Sequence, residues 1–174
     1  MGIRKHRRQL VAWMVYFSLA MGLGIAAADS ATIVALGASN TYGKGVSRGE
    51  AYPAQLESLL RAKGRDIRVI NAGINGDTTG SMLGRLDSTV PDGTSIVILQ
   101  PGGNDRRKGV ADASAGNLAA IQSRLKVRGI RVVVLDNAML GRYPHQPDGQ
   151  HLTPEGYRML AQALLPRVTN ALGR

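Results

Sequence analysis

Near the carboxyl end of the chain, Asp148-Gly149-Gln150-His151 sets a carboxylate three residues before an imidazole, just ahead of a helix start. At that spacing one group can orient the other. An imidazole steadied by a carboxylate is a base able to take a proton from a hydroxyl, and a hydroxyl so relieved attacks carbonyl carbon. The chain has no cysteine, which excludes thiolate nucleophiles, disulfides and cysteine zinc sites. Its three histidines include His6 in a basic N-terminal cluster, leaving His145 and His151 in the body. The hydroxyl with the best placement is Ser39, in the Gly-Ala-Ser-Asn turn that ends an apolar run. Acyl transfer also needs donors for the oxyanion, and the Gly73 N–H and the Asn104 side chain can fill that role. Two alternatives stand beside this reading. Asp136 is a second carboxylate within reach of His151 by position. His145, His151 and Asp148 can be read as metal ligands, against which stand the intervening Pro147 and the lack of a further histidine. No metal and no cofactor is expected.

These residues need elements to hold them. Residues 32–36 are short, β-branched and uncharged, the signature of a parallel strand buried on both faces, and Ser39 follows three residues later. Residues 50–63 carry Leu56, Leu59 and Leu60 at helical spacing, closed by Gly64. Strands follow at 67–70, 95–99 and 131–135. Helices follow at 78–86, with Asp77 or Thr78 as cap and Met82, Leu83 and Leu86 inward, and at 111–127, with Leu118, Ile121, Gln122 and Leu125 on one side. Residues 71–77 and 136–150 read as loops rich in turn residues. Thr153 caps a last helix opened by Pro154. Strands alternating with helices imply an α/β fold, a three-layer α/β/α sandwich around a central parallel sheet. Ser39, Gly73, Asn104 and the 136–151 loop all follow strand ends and so share one edge of the sheet, where ligands of such sheets bind.

The length of 174 residues and 44% hydrophobic content suit one domain with a real core. The formal charge is +10, but Arg4, Lys5, Arg7 and Arg8 supply four charges, and +6 remains without them. The remaining basic residues are scattered with few aromatics beside them, unlike a nucleic-acid surface. No nucleic-acid partner is expected. Residues 1–28 have a basic start, an apolar stretch at 10–25 and small residues at Ala26-Ala27-Ala28, the parts of an export signal. The expectation is cleavage near Ala28 and a periplasmic or secreted domain of residues 29–174. If the segment stays uncleaved it is an anchor, and membrane contact is confined to it.

Four segments in order, GASNTYG, NAGINGDTT, GGND and DGQHLTPEGY, resemble the four blocks of the SGNH hydrolases, also called GDSL esterases and lipases. The likeness runs from about residue 33 to the final helix. It implies a flavodoxin-like SGNH hydrolase fold with Ser39 as nucleophile, His151 as base and Asp148 as its partner. It also implies an oxyanion hole of Ser39, Gly73 and Asn104. The implied activity is hydrolysis of small or medium acyl esters or thioesters, with a small-molecule acyl ester as partner and exported bacterial lysophospholipases and thioesterases as the nearest likeness. Carbohydrate O-deacetylation, lysophospholipid hydrolysis, or an inactive envelope-binding protein on the same fold are the other readings.

Two departures stand out. The aspartate expected before the serine is Ala38 and the leucine after it is Asn40, so the signature reads GASN. The connection from strand four to His151 is also short, which leaves little chain for a fifth strand or a lid and predicts an open site.

The Gly37 to Gly45 segment superficially resembles a phosphate loop. It has five residues between its glycines and Gly45 after Lys44, where such a loop has four and Ser or Thr.

Overall fold

The computed structural model describes residues 31–173 of the chain, so the export-signal reading of residues 1–28 lies outside the described residues. The elements alternate as the pattern of apolar runs and turns requires. Strand β1 (Thr32–Gly37) leads to the single-turn helix α1 (Ser39–Tyr42) and then α2 (Tyr52–Ala62). Strand β2 (Arg68–Gly73) is followed by α3 (Thr79–Gly84) and α4 (Leu86–Thr89), and β3 (Thr94–Gln100) by the short α5 (Asn104–Arg107). A 3-10 turn (Ala111–Ala113) opens α6 (Ser114–Val127). Strand β4 (Arg131–Val134), the turn α7 (Asn137–Leu140) and the long α8 (Pro154–Leu172) complete the chain.

The four strands form a parallel sheet in the order β2-β1-β3-β4. Its two central strands are buried on both faces, and successive residues feed opposite cores. Ile33 and Ala35 of β1, with Ile96 and Ile98 of β3, face Leu56 and Leu60 of α2 and Leu160, Leu164 and Val168 of α8. Val34 and Leu36, with Val97 and Leu99, face Met82, Leu86, Ile121 and Leu125. Each such fully buried aliphatic side chain is worth about 2 kcal/mol relative to exposure. Among the described residues no helix is long and apolar enough to cross a membrane.

The sequence expectations need local correction. β2 runs on through Asn71, Ala72 and Gly73, which read as loop, because their backbones pair in register with Ala35, Leu36 and Gly37 of β1. Sheet pairing overrides the turn preference of those residues. Gln122 lies on the exposed side of α6, not with Ile121 and Leu125. The stretch after β4 is not wholly irregular: Asp136 Oδ1 accepts from the Met139 N–H at 2.7 Å. That cap starts α7, which packs Leu140 and Met139 onto the α8 side of the core.

The topology decides where chemistry can occur. β2 lies on one side of β1, and β3 and β4 on the other. The reversal of strand order therefore falls between β1 and β3, and the loops leaving their carboxyl ends carry Ser39 and Asn104.

Candidate active site

Ser39 is the first residue of α1 and is buried. As the first residue of a helical turn its N–H has no intrahelical acceptor, and no other described group accepts from it. The turn is held from behind by Gln100 at the end of β3. The Gln100 Oε1 accepts from the Ala38 N–H at 3.0 Å and from the Thr41 hydroxyl at 3.2 Å. Ala38 itself packs in the core with Leu36 and Leu99. An amide reaching across from the neighbouring strand thus supports a serine turn that lacks an aspartate at position 38.

His151 Nε2 lies 2.9 Å from Ser39 Oγ. On the other side of the ring, Nδ1 lies 2.5 Å from Asp148 Oδ2. A carboxylate facing Nδ1 keeps the proton there, leaving Nε2 as the acceptor for the serine hydroxyl. Asp148 Oδ1 accepts from the Gln150 and His151 N–H groups at 2.9 and 3.0 Å. The His151 side chain and these backbone donors hold the Asp148 carboxyl far below the usual carboxylate range. It therefore stays ionised beside the imidazole. Asp136, the rival carboxylate, is engaged as the cap of α7. His145 forms an isolated bridge with Leu152, and no cluster of three potential metal ligands occurs among the described residues.

Asn40 joins the two halves of this arrangement, a role the sequence did not disclose. Its Nδ2 donates to the Gln150 carbonyl at 3.0 Å, while its Oδ1 accepts from the Leu152 N–H at 3.3 Å and the Tyr157 hydroxyl at 3.0 Å. The residue after the serine thereby grips the backbone on both sides of the histidine. Burial pushes the Tyr157 phenol upward, so it remains a neutral donor to Asn40.

The residues expected as oxyanion donors lie in different settings. Gly73 is the last residue of β2, and its N–H donates to Asn71 Oδ1 at 3.0 Å. Its backbone lies so close to α1 that a Cβ at this position would sit 2.1 Å from the Tyr42 nitrogen. Glycine there serves close packing, and its N–H is spoken for. Gly76, three residues on, instead borders the space shared by Ser39, Asn104 and His151. It has φ +75°, and its N–H has no acceptor among the described residues. The signal for it was present in the Asn75-Gly76 pair, a turn dipeptide suited to positive φ. Asn104 lies where it was expected, buried at the start of α5. One hydrogen of its Nδ2 goes to the Asp77 carbonyl at 2.8 Å, and the other remains for a ligand.

A polar chain fixes these donors. The Asp77 carboxylate pairs with Arg85 at 2.6 Å, and the same guanidinium donates to the Ala72 and Gly37 carbonyls, tying the ends of β1 and β2 to the 74–77 loop. Asp105 is buried beside Asn104, and although burial opposes its charge, hydrogen bonds from the Thr79 N–H and hydroxyl outweigh that and keep its carboxyl low. Arg107 donates to Asn104 Oδ1 and Gln150 Oε1, both at 2.6 Å. Beyond Ser39 opens a cleft of about 260 Å³, walled by Asn137, Leu140 and Gly141 of the α7 turn.

The arrangement has the parts for acyl transfer, and the chain is similar to known esterases. The chain is 32% identical over 119 residues to the esterase TesA of Pseudomonas aeruginosa, covering 67% of this chain and 59% of that protein. It is 31% identical over 132 residues to the arylesterase of Vibrio mimicus, covering 73% and 62%. The chain thus spans about three-fifths of the length of these relatives. The crystal structure of TesA superposes with a TM-score of 0.71 at 24% identity, over 80% of this chain and 99% of that one, a likeness of fold. Residues 35–165 match the sequence pattern of the GDSL-like lipase/acylhydrolase family. With that match running from the middle of β1 into α8 and including Ser39, Asn104, Asp148 and His151, the chain belongs to the GDSL-like lipase/acylhydrolase family.

Proposed function

We propose that this protein is a serine esterase acting on small or medium acyl esters or thioesters. The observation that carries the reading is the continuous relay from Asp148 through His151 to Ser39, with 2.5 and 2.9 Å between successive polar atoms. In the forward step Ser39 Oγ bonds to the acyl carbon while its proton passes to His151 Nε2. The carbonyl oxygen becomes the oxyanion, facing the N–H groups of Ser39 and Gly76 and the free Asn104 hydrogen. Collapse expels the alkoxide or thiolate, which takes the proton from His151 and leaves an acyl-enzyme. Water then gives its proton to His151 and its oxygen to the acyl carbon, and Ser39 leaves reprotonated with the acid released. This proton inventory closes without a metal.

The cleft supports the proposed substrate range. About 260 Å³ lies just below the usual span of small-molecule pockets, about 300 to 1,000 Å³, and suits acetyl to octanoyl chains. The basic, apolar and small-residue pattern of residues 1–28 supports export to the periplasm or beyond. A fluorophosphonate probe tests the chemistry: labelling of the parent at Ser39, and none in Ser39→Ala, is expected. Unimpaired hydrolysis of short p-nitrophenyl esters by a folded Ser39→Ala variant would overturn it. A rate optimum at palmitoyl with a jump above the micelle threshold would overturn the short-acyl range.

A further inference from the structure

We propose that Arg107 makes the cleft a recognition site for esters carrying an anionic oxygen group, a carboxylate or phosphate, on their acyl or alcohol portion. This rests on the esterase reading and names its substrate class. Arg107 lines the cleft together with Ser39, Asn104 and His151. Its two hydrogen bonds go to Asn104 and Gln150, which are neutral, so they orient the guanidinium without compensating its charge. No carboxylate lies within 4.0 Å of it among the described residues, whereas Arg61, Arg85, Arg124, Arg128 and Arg158 each have at least one.

The acids nearby are all committed elsewhere. Asp148 is bound to His151 and two backbone N–H groups, Asp105 to Thr79, and Asp136 to the start of α7. Lys44 adds a second positive charge at the neighbouring rim, shared with Ser39, Arg107 and Asp148. A guanidinium has five N–H donors, and two are used here, so three remain for an oxyanion group. Because the two bonds already orient the guanidinium, a ligand gains its contacts at little further ordering cost.

The test compares isosteric pairs that differ in one charge. On the alcohol side these are 4-acetoxybenzoate and 4-acetoxybenzamide; on the acyl side, the p-nitrophenyl monoester of adipate and that of its terminal amide. The readout is the anionic-to-neutral ratio of kcat/KM in the parent divided by that in Arg107→Gln. It is expected to be about tenfold in at least one pair, a charge-assisted hydrogen bond discounted for exposure. Half-molar salt should shrink it and Arg107→Lys should retain part of it. Arg107→Gln should also slow the neutral esters, because Asn104 loses its brace. If both members of each pair slow in parallel and the ratio stays near one, Arg107 only braces the loops and the proposal is overturned. No turnover of any ester together with no fluorophosphonate labelling would overturn the esterase reading and this inference with it; turnover with equal ratios overturns this inference alone.

Discussion

The serine turn and the histidine loop meet between Ser39 and His151 and through the Asn40 amide, but they are held by different means. Ser39 is positioned by the core: Ala38, Asn40 and Thr41 are buried, and Gln100 anchors the turn from the adjacent strand. The loop carrying His151 lies at the surface. The Asp148 side chain is 41% exposed while the His151 side chain beside it is 7% exposed. That loop is held by the Asn40 amide, by its own Asp148 carboxylate and by Gln146, which donates to the Lys44 and Leu152 carbonyls at 2.8 and 2.7 Å. Ser39 is therefore placed by packing shared with the whole sheet, and His151 by a few directional bonds. Damage behind the serine should appear first as lost stability, and damage around the histidine first as lost turnover.

Breaking the base itself gives the largest effect. His151→Ala is expected to lower kcat by about 10⁴-fold or more, since a serine without its base is a poor nucleophile. Its thermal midpoint should stay close to the parent's, and steady-state kinetics beside a melting curve check both. Asp148→Asn comes next, with a loss of about a hundredfold or more in kcat, because an amide can present the wrong partner to Nδ1. KM for a neutral acetyl ester should change little.

On the serine side, Gln100→Leu leaves the buried Ala38 N–H without an acceptor. It should cost about 2 kcal/mol in urea unfolding, a larger share of its phenotype than for either variant above. Asn40→Leu sharpens the contrast, because Asn40 belongs to both regions. Alone it strips a partner from the Tyr157 hydroxyl and should lower both stability and kcat. Combined with Tyr157→Phe, which removes that orphaned hydroxyl, stability should recover while kcat stays about tenfold down. Recovery of both would mean that the clasp on the histidine loop does not position the base.

The smallest effect is a pH dependence. The folded Asp148 carboxyl is held below its unfolded value by hydrogen bonds from His151 and Gln150. Its contribution to stability is therefore full above the unfolded value near about 3.9 and lost as pH falls through the folded one. The melting difference between the parent and Asp148→Asn should shrink as pH falls from about 5 into stronger acid. A difference unchanged from about pH 5 down to about 2 would show that the folded carboxyl is not held below its unfolded value.

Periodicity and residue type alone determined that this is a parallel α/β domain and that Ser39, Asn104, Asp148 and His151 lie at the carboxyl edge of its sheet. Apolar runs of strand length and leucines at helical spacing are local signals, and the edge follows from chain direction. Local signals could not decide which backbone N–H groups remain free. Gly73 and Gly76 both sit in a turn-rich segment, and folding closes the N–H of one onto Asn71 Oδ1 and leaves the other beside Ser39. The meaning of Ala38 and Asn40 was likewise hidden, because their partners Gln100, Gln150, Leu152 and Tyr157 lie between 62 and 117 residues away in the chain. Hydrogen bonds across such separations depend on sheet register and on the packing of α8, which no short window of sequence contains. The same holds for Arg107, whose charge became informative only when folding set it beside two neutral acceptors and no acid.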